Sequence, residues 1–114
     1  MFPAGQIETL KALFPNIEVA EEGGTRFILI TGVMLPDGCE PREVEALLCP
    51  SERDGYPSRL FLSHKVTHRG RGTNWNPHAG AMILGRLWWA VSWKTRPGQT
   101  LSEMVLDHLG AFRG

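Results

Sequence analysis

Arg42-Glu43-Val44-Glu45-Ala46-Leu47-Leu48 sets Val44, Ala46 and Leu48 on one face of an extended chain and Glu43 and Glu45 on the other. Such alternation marks an antiparallel sheet with one face buried and one in water. Upstream, Leu35-Pro36-Asp37-Gly38 turns the chain, and residues 26–34 before it are β-branched and apolar enough for a central strand. Gly23-Gly24 supplies the preceding turn, and Ile17-Glu18-Val19 alternates as a first strand. Downstream, the polar loop Ser51-Glu52-Arg53-Asp54-Gly55 and Tyr56-Pro57 lead into a fourth strand at 60–66. Ile7, Leu10, Leu13 and Phe14 recur at helical spacing before Pro15, which predicts a helix over about 5–14.

Beyond the meander the pattern changes. From 67 to 82 glycines, prolines, asparagines and histidines replace any periodicity, and an irregular flap of that length in a small domain is commonly functional. Residues 83–93 are apolar and aromatic, and Thr95-Arg96-Pro97-Gly98 closes them. Thr100 and Glu103 form a Thr-x-x-Glu capping box, after which Leu101, Met104, Val105, Leu109 and Phe112 line one helical face. The expected architecture is α+β: an N-terminal helix, a four-stranded antiparallel meander, a flap and a C-terminal helix, in one domain over 1–114.

Composition narrows the function. A chain of 114 residues buries roughly two thirds of its unfolded surface without metal or disulfide support. Twelve basic and twelve acidic side chains cancel, which disfavours nucleic acid and anionic membrane as partners and favours specific proteins. No apolar run reaches bilayer length and Met1-Phe2-Pro3-Ala4-Gly5 lacks the regions of a signal peptide, so a cytoplasmic setting is expected. Cys39 and Cys49 flank a strand that holds them farther apart than the roughly 7 Å a disulfide tolerates, so both are expected as free thiols.

The collinear set of elements resembles the ubiquitin-conjugating (UBC-like) fold over nearly the whole chain. Leu48-Cys49-Pro50 and Tyr56-Pro57 stand where that family has an apolar-Pro step and its Tyr-Pro. His68 stands at the head of its His-Pro-Asn, with Arg69-Gly70 in place of the proline and asparagine. Gly85-Arg86-Leu87-Trp88 is similar to its Gly-x-Ile-Cys, with tryptophan for the carrier cysteine. Trp93, Pro97 and Leu101 are similar to the residues that open its second helix. The Leu-Pro-x-Gly, Gly-Tyr-Pro and Arg-Pro-Gly elements look most like the bacterial family E of conjugating-enzyme-like proteins. The resemblance implies a ubiquitin-like protein and its activating enzyme as partners, and transfer or scaffolding of that tag to a target amine.

Tag transfer needs a thiolate, donors for an oxyanion and a guided amine. Cys49 is expected at the end of the sheet away from the flap, about 17–20 Å off, as a buried hydrophobe. Cys39 is expected at the flap's end, exposed beside Asp37 and Glu40, whose charges would raise its pKa. Thr73 or Ser92 could replace the thiol if His68 or His78 served as base, and Asn74 and Asn76 are candidates for the oxyanion amide, against the plain alternative of turn-forming loop residues. Of His64, His68 and His78, which with Cys39 or Cys49 could form a zinc shell, only His64 and His68 are closely spaced, and a strand would hold them more than about 12 Å apart, so no metal and no cofactor is expected. Arg69, Arg71 and Arg86 with Trp75 form a basic, aromatic set suited to a carboxylate tail. Trp88 and Trp89 point to opposite faces of a strand, which marks one of them, with Trp93, Tyr56 and Pro57, as a candidate protein-binding surface.

Overall fold

A computed structural model describes residues 5–52, 55–68, 81–90 and 95–110, with 67 and 68 described through their backbone. In chain order the elements are α1 (Gln6–Leu13), β1 (Ile17–Glu22), β2 (Thr25–Met34), β3 (Cys39–Glu40), β4 (Glu43–Cys49), β5 (Arg59–Leu62), β6 (Thr67–His68), β7 (Ala81–Ile83), β8 (Arg86–Ala90) and α2 (Leu101–Leu109). Gly23 and Gly24 both take positive φ, 58° and 82°, and so close a two-residue turn that pairs Glu22 with Thr25 and Ile17 with Ile30. β2 then pairs with β4 across a bulge between Ile30 and Val33, and β4 with β5, all antiparallel.

The expected meander is therefore present as β1-β2-β4-β5, but the sheet is larger than expected. It has six strands in the order β1-β2-β4-β5-β8-β7, and a separate two-stranded ribbon pairs β3 with β6. The extra strands come from the apolar run after residue 80, which folds back on itself at Leu84-Gly85 with φ of 54° and 75°. Leucine seldom adopts that left-handed conformation, so Gly85 alone signals the turn in the sequence.

Among the described residues, helices cover one face only. Leu10 of α1 and Leu101, Val105 and Leu109 of α2 pack with Ile28, Ile30, Val44, Ala46, Leu48, Leu60 and Leu62. The opposite face was expected to meet water and does not. Phe27, Leu47, Cys49, Phe61, Ile83, Trp88 and Ala90 form a second buried cluster there. The sheet curls round that cluster until its two ends meet, and the Glu22 carboxylate at one edge accepts the Leu84 N–H at the other, 2.6 Å away. Glu45 on the same face is paired with Arg86 at 2.9 Å, which explains how a charged position sits beside a core.

Both halves of the capping box are made: Thr100 Oγ1 accepts from Glu103 N at 3.3 Å, and Thr100 N donates to Glu103 Oε1 at 2.8 Å. A further bond runs from Leu101 N to Gln6 Oε1, 3.0 Å, and joins the start of α2 to α1. Replacing Thr100 by alanine is expected to lower unfolding free energy by about 1 kcal/mol, read from urea melts, while leaving the far-ultraviolet circular dichroism unchanged.

Candidate functional site

The ribbon of β3 and β6 brings together two of the residues singled out in the sequence, for its register sets Cys39 directly opposite His68 and Glu40 opposite Thr67. This is where the chain leaves the meander for residues 69–80. Cys39 is at the expected end of the sheet but not in the expected environment. It is only 4% exposed and belongs to the helix-side core. Its thiol is pushed up in pKa by that burial, partly opposed by the Arg42 guanidinium, and not by nearby carboxylates as exposure would have required. A thiol held protonated is a poor nucleophile.

Cys49 is fully buried in the other cluster, on the opposite face, with Sγ 3.6 Å from the Ser51 carbonyl oxygen. Both cysteines are free, and the sheet lies between the clusters that hold them. His64 is exposed and its Nδ1 lies 2.9 Å from Ser63 Oγ. Among the described residues no three His, Cys, Asp or Glu side chains are grouped so as to hold a metal. No described helix is long and apolar enough to cross a membrane.

Trp88 corrects the reading that put it on a binding surface. The indole is wholly buried, donates from Nε1 to the Ile83 carbonyl at 3.1 Å and lies under the Arg86 guanidinium, 4.5 Å from the ring centroid. Gly85-Arg86-Leu87-Trp88 is thus a hairpin turn and strand whose tryptophan fills the core. Trp89 does point to the opposite face, opposite Leu62 in the register, and is half-buried. Tyr56 and Pro57 are half-buried as well, and the Tyr56 ring lies 4.4 Å from the guanidinium of Arg59, itself 4% exposed. Arg69, Arg71, Thr73, Asn74, Trp75, Asn76, His78, Ser92 and Trp93 lie outside the described residues.

Sequence reasoning missed a buried polar cluster behind Tyr56-Pro57. Ser58 Oγ lies 2.9 Å from Thr95 Oγ1 and 3.0 Å from His108 Nε2. The serine–histidine distance is that of a nucleophile and its base. Burial decides against that use: Ser58 is 0% exposed, Thr95 4% and His108 5%, so a substrate cannot reach the hydroxyl. The three side chains instead satisfy one another and join α2 to the sheet and to the segment ahead of it. One signal was available, since His108 falls three residues after Val105 on the apolar face of α2, where an imidazole must find a buried partner. Nearby, an open cleft of about 530 Å³ runs between α1, the β1–β2 turn and the start of α2, and Gln6, Arg26, Ser51 and Gln99 give it a polar lining.

The described chain is a small α+β domain with a curled antiparallel sheet and helices on one side. Comparison with protein-family models, with curated proteins and with solved structures finds no match to it.

Burial pushes the His108 imidazole down to about 4, against the partial pull of the neighbouring Asp107 carboxylate. The unfolded chain takes up this proton near pH 6.5 and the folded one only near 4, so the stabilisation is complete above about 6.5 and is lost as pH falls between those values. The loss expected is on the order of 3 kcal/mol. His108→Gln keeps a polar partner for Ser58 without the titration, and urea melts from pH 7 to 4 should be flatter for it than for the parent by about that amount. Parallel curves for the two proteins would remove His108 as the source.

Proposed function

We propose that the chain is a ubiquitin-conjugating-like domain of a bacterial ubiquitin-like protein conjugation pathway, and that it scaffolds transfer without itself carrying the tag as a thioester. The order of elements supports the first half: a helix, four consecutively paired strands, Tyr56-Pro57 ahead of β5 and a capped C-terminal helix. One observation carries the second half. The only two thiols in the chain are buried, and Trp88, at the position that the resemblance gives to the carrier, is packed in the core.

A thioester carrier must present a thiolate to the C-terminus of another protein, and burial opposes both the charge and the approach. Binding has no such requirement. In this reading Arg69 and Arg71 pair with the carboxylate tail of the ubiquitin-like protein, and Trp75, Trp93 and half-buried Trp89 contribute apolar contact. The free thiols suit a reducing, cytoplasmic setting. The register of Cys39 opposite His68 favours a second reading, in which local opening of the β3–β6 ribbon frees the thiol beside a base and the chain carries the tag after all.

The test is to incubate the protein with ATP and the ubiquitin-like protein and activating enzyme of its own genome. Scaffolding predicts no covalent adduct on this chain and measurable non-covalent binding, weakened at least about tenfold by Arg69→Ala with Arg71→Ala at unchanged melting temperature. An adduct released by reductant and abolished by Cys39→Ser would establish the second reading in its place.

A further inference from the structure

The sheet has two edges, and they are unlike. β7 is three residues long and is followed at once by Leu84, whose N–H is held by Glu22. β1 is six residues long, without proline, and keeps a continuous register with β2 from end to end. Its parity is set by the two-residue turn, which pairs Glu22 with Thr25, and by Asn16, whose carbonyl accepts from Thr31 N at 3.0 Å. Residues 16, 18, 20 and 22 therefore spend their backbone groups on β2. The N–H and C=O groups of Ile17, Val19 and Glu21 point away from the sheet, and no other described strand pairs with them.

An unpaired edge of this length is a template for another strand, and natural sheets blunt such edges with bulges, prolines or lysines. β1 has none of these. Its side chains instead specify a neighbour. Glu18 and Glu22 lie on the concave face with Ala20, and Glu22 is already engaged with Leu84, whereas Val19, 52% exposed, lies on the helix-side face with Ile17 and Glu21. The strand contains three carboxylates and no basic residue, and Arg26 on the neighbouring strand reaches Glu21 only at 3.9 Å with both side chains substantially in water. A second copy of the chain fits badly. An antiparallel pair of β1 strands centred on Ala20 sets Glu18 against Glu22, and one centred on Val19 sets Glu18 diagonally across from Glu18 and Glu22 of the other copy, and like charges so placed oppose pairing.

We infer that the β1 edge is a docking site for an extended segment of a partner protein that alternates lysine or arginine with β-branched apolar residues. The backbone of that segment pairs with Ile17, Val19 and Glu21. Its basic side chains fall over Glu18 and the concave rim, and its apolar ones extend the helix-side face past Val19 and half-exposed Leu13. The site uses none of the residues on which the conjugation reading rests, so it stands or falls independently of it.

A fluorescent peptide of alternating lysine and valine, titrated by anisotropy at low salt, is expected to bind, and one of alternating glutamate and valine is not. Val19→Pro deletes an outward N–H without touching the bonds of Ala20 to β2, and should weaken binding at least about tenfold in a protein that circular dichroism shows to be folded. Glu18→Lys with Glu21→Lys should reverse the preference between the peptides. Amide exchange in the unaltered protein provides a reading that needs no variant: the peptide should slow the amides of Val19 and Glu21 and leave that of Ala20 as it was. The idea fails if the lysine peptide does not bind, if it binds Val19→Pro equally well, if exchange at Val19 and Glu21 is unchanged, or if sedimentation finds a dimer that Val19→Pro dissolves, which would give the edge to a second copy.

Discussion

A six-stranded sheet has two faces to keep from water, and the described residues supply two short helices, both on one side. The other side is closed by the curl of the sheet around Trp88, the largest side chain in the second cluster. A buried tryptophan removes on the order of 150–250 Å² from water, far more than any aliphatic neighbour, so the hairpin that carries it is drawn across Phe27, Leu47 and Phe61. The rest of the concave side follows from that placement. Arg86 is left over the indole and within reach of Glu45, Leu84 is forced into a left-handed turn, and the N–H that the turn exposes meets the Glu22 carboxylate from the far edge. An unfavourable backbone conformation is thus retained because the surrounding structure over-determines it.

The same constraint governs what the domain can do chemically. Two apolar clusters in a small chain enclose both of its thiols, Cys39 in one and Cys49 in the other, and the Ser58 hydroxyl is sealed against α2. Each has a feature of a reactive group, a cross-strand histidine for Cys39 and an imidazole 3.0 Å away for Ser58. Burial cancels both, holding the Cys39 thiol protonated and keeping any substrate from the Ser58 hydroxyl. Groups so placed stabilise the fold through packing and mutual hydrogen bonding. What remains outward in the described residues is backbone at the β1 edge, carboxylates beside it, and the partly exposed Trp89, Met82 and Leu87 on the face across from Trp88.

The sequence by itself determined the elements that depend on near neighbours. The capping box at Thr100 and Glu103, the apolar face of α1 and the Gly23-Gly24 turn involve residues within four positions of one another, where rotamer and backbone preferences act directly. The alternation of Val44, Ala46 and Leu48 likewise assigned one face of β4 correctly to the core. It could not reveal that Leu47 and Cys49 are buried too, because a run that is apolar at both parities reads the same whether its second face meets water or a folded-back hairpin. Only the tertiary structure decided the curl, the hairpin at Leu84, the pairing of Cys39 with His68 and the union of Ser58 with His108 across 50 residues of chain. Each joins groups whose proximity is set by the closure of the whole sheet. That closure is driven by total apolar area and has no signature at any single position.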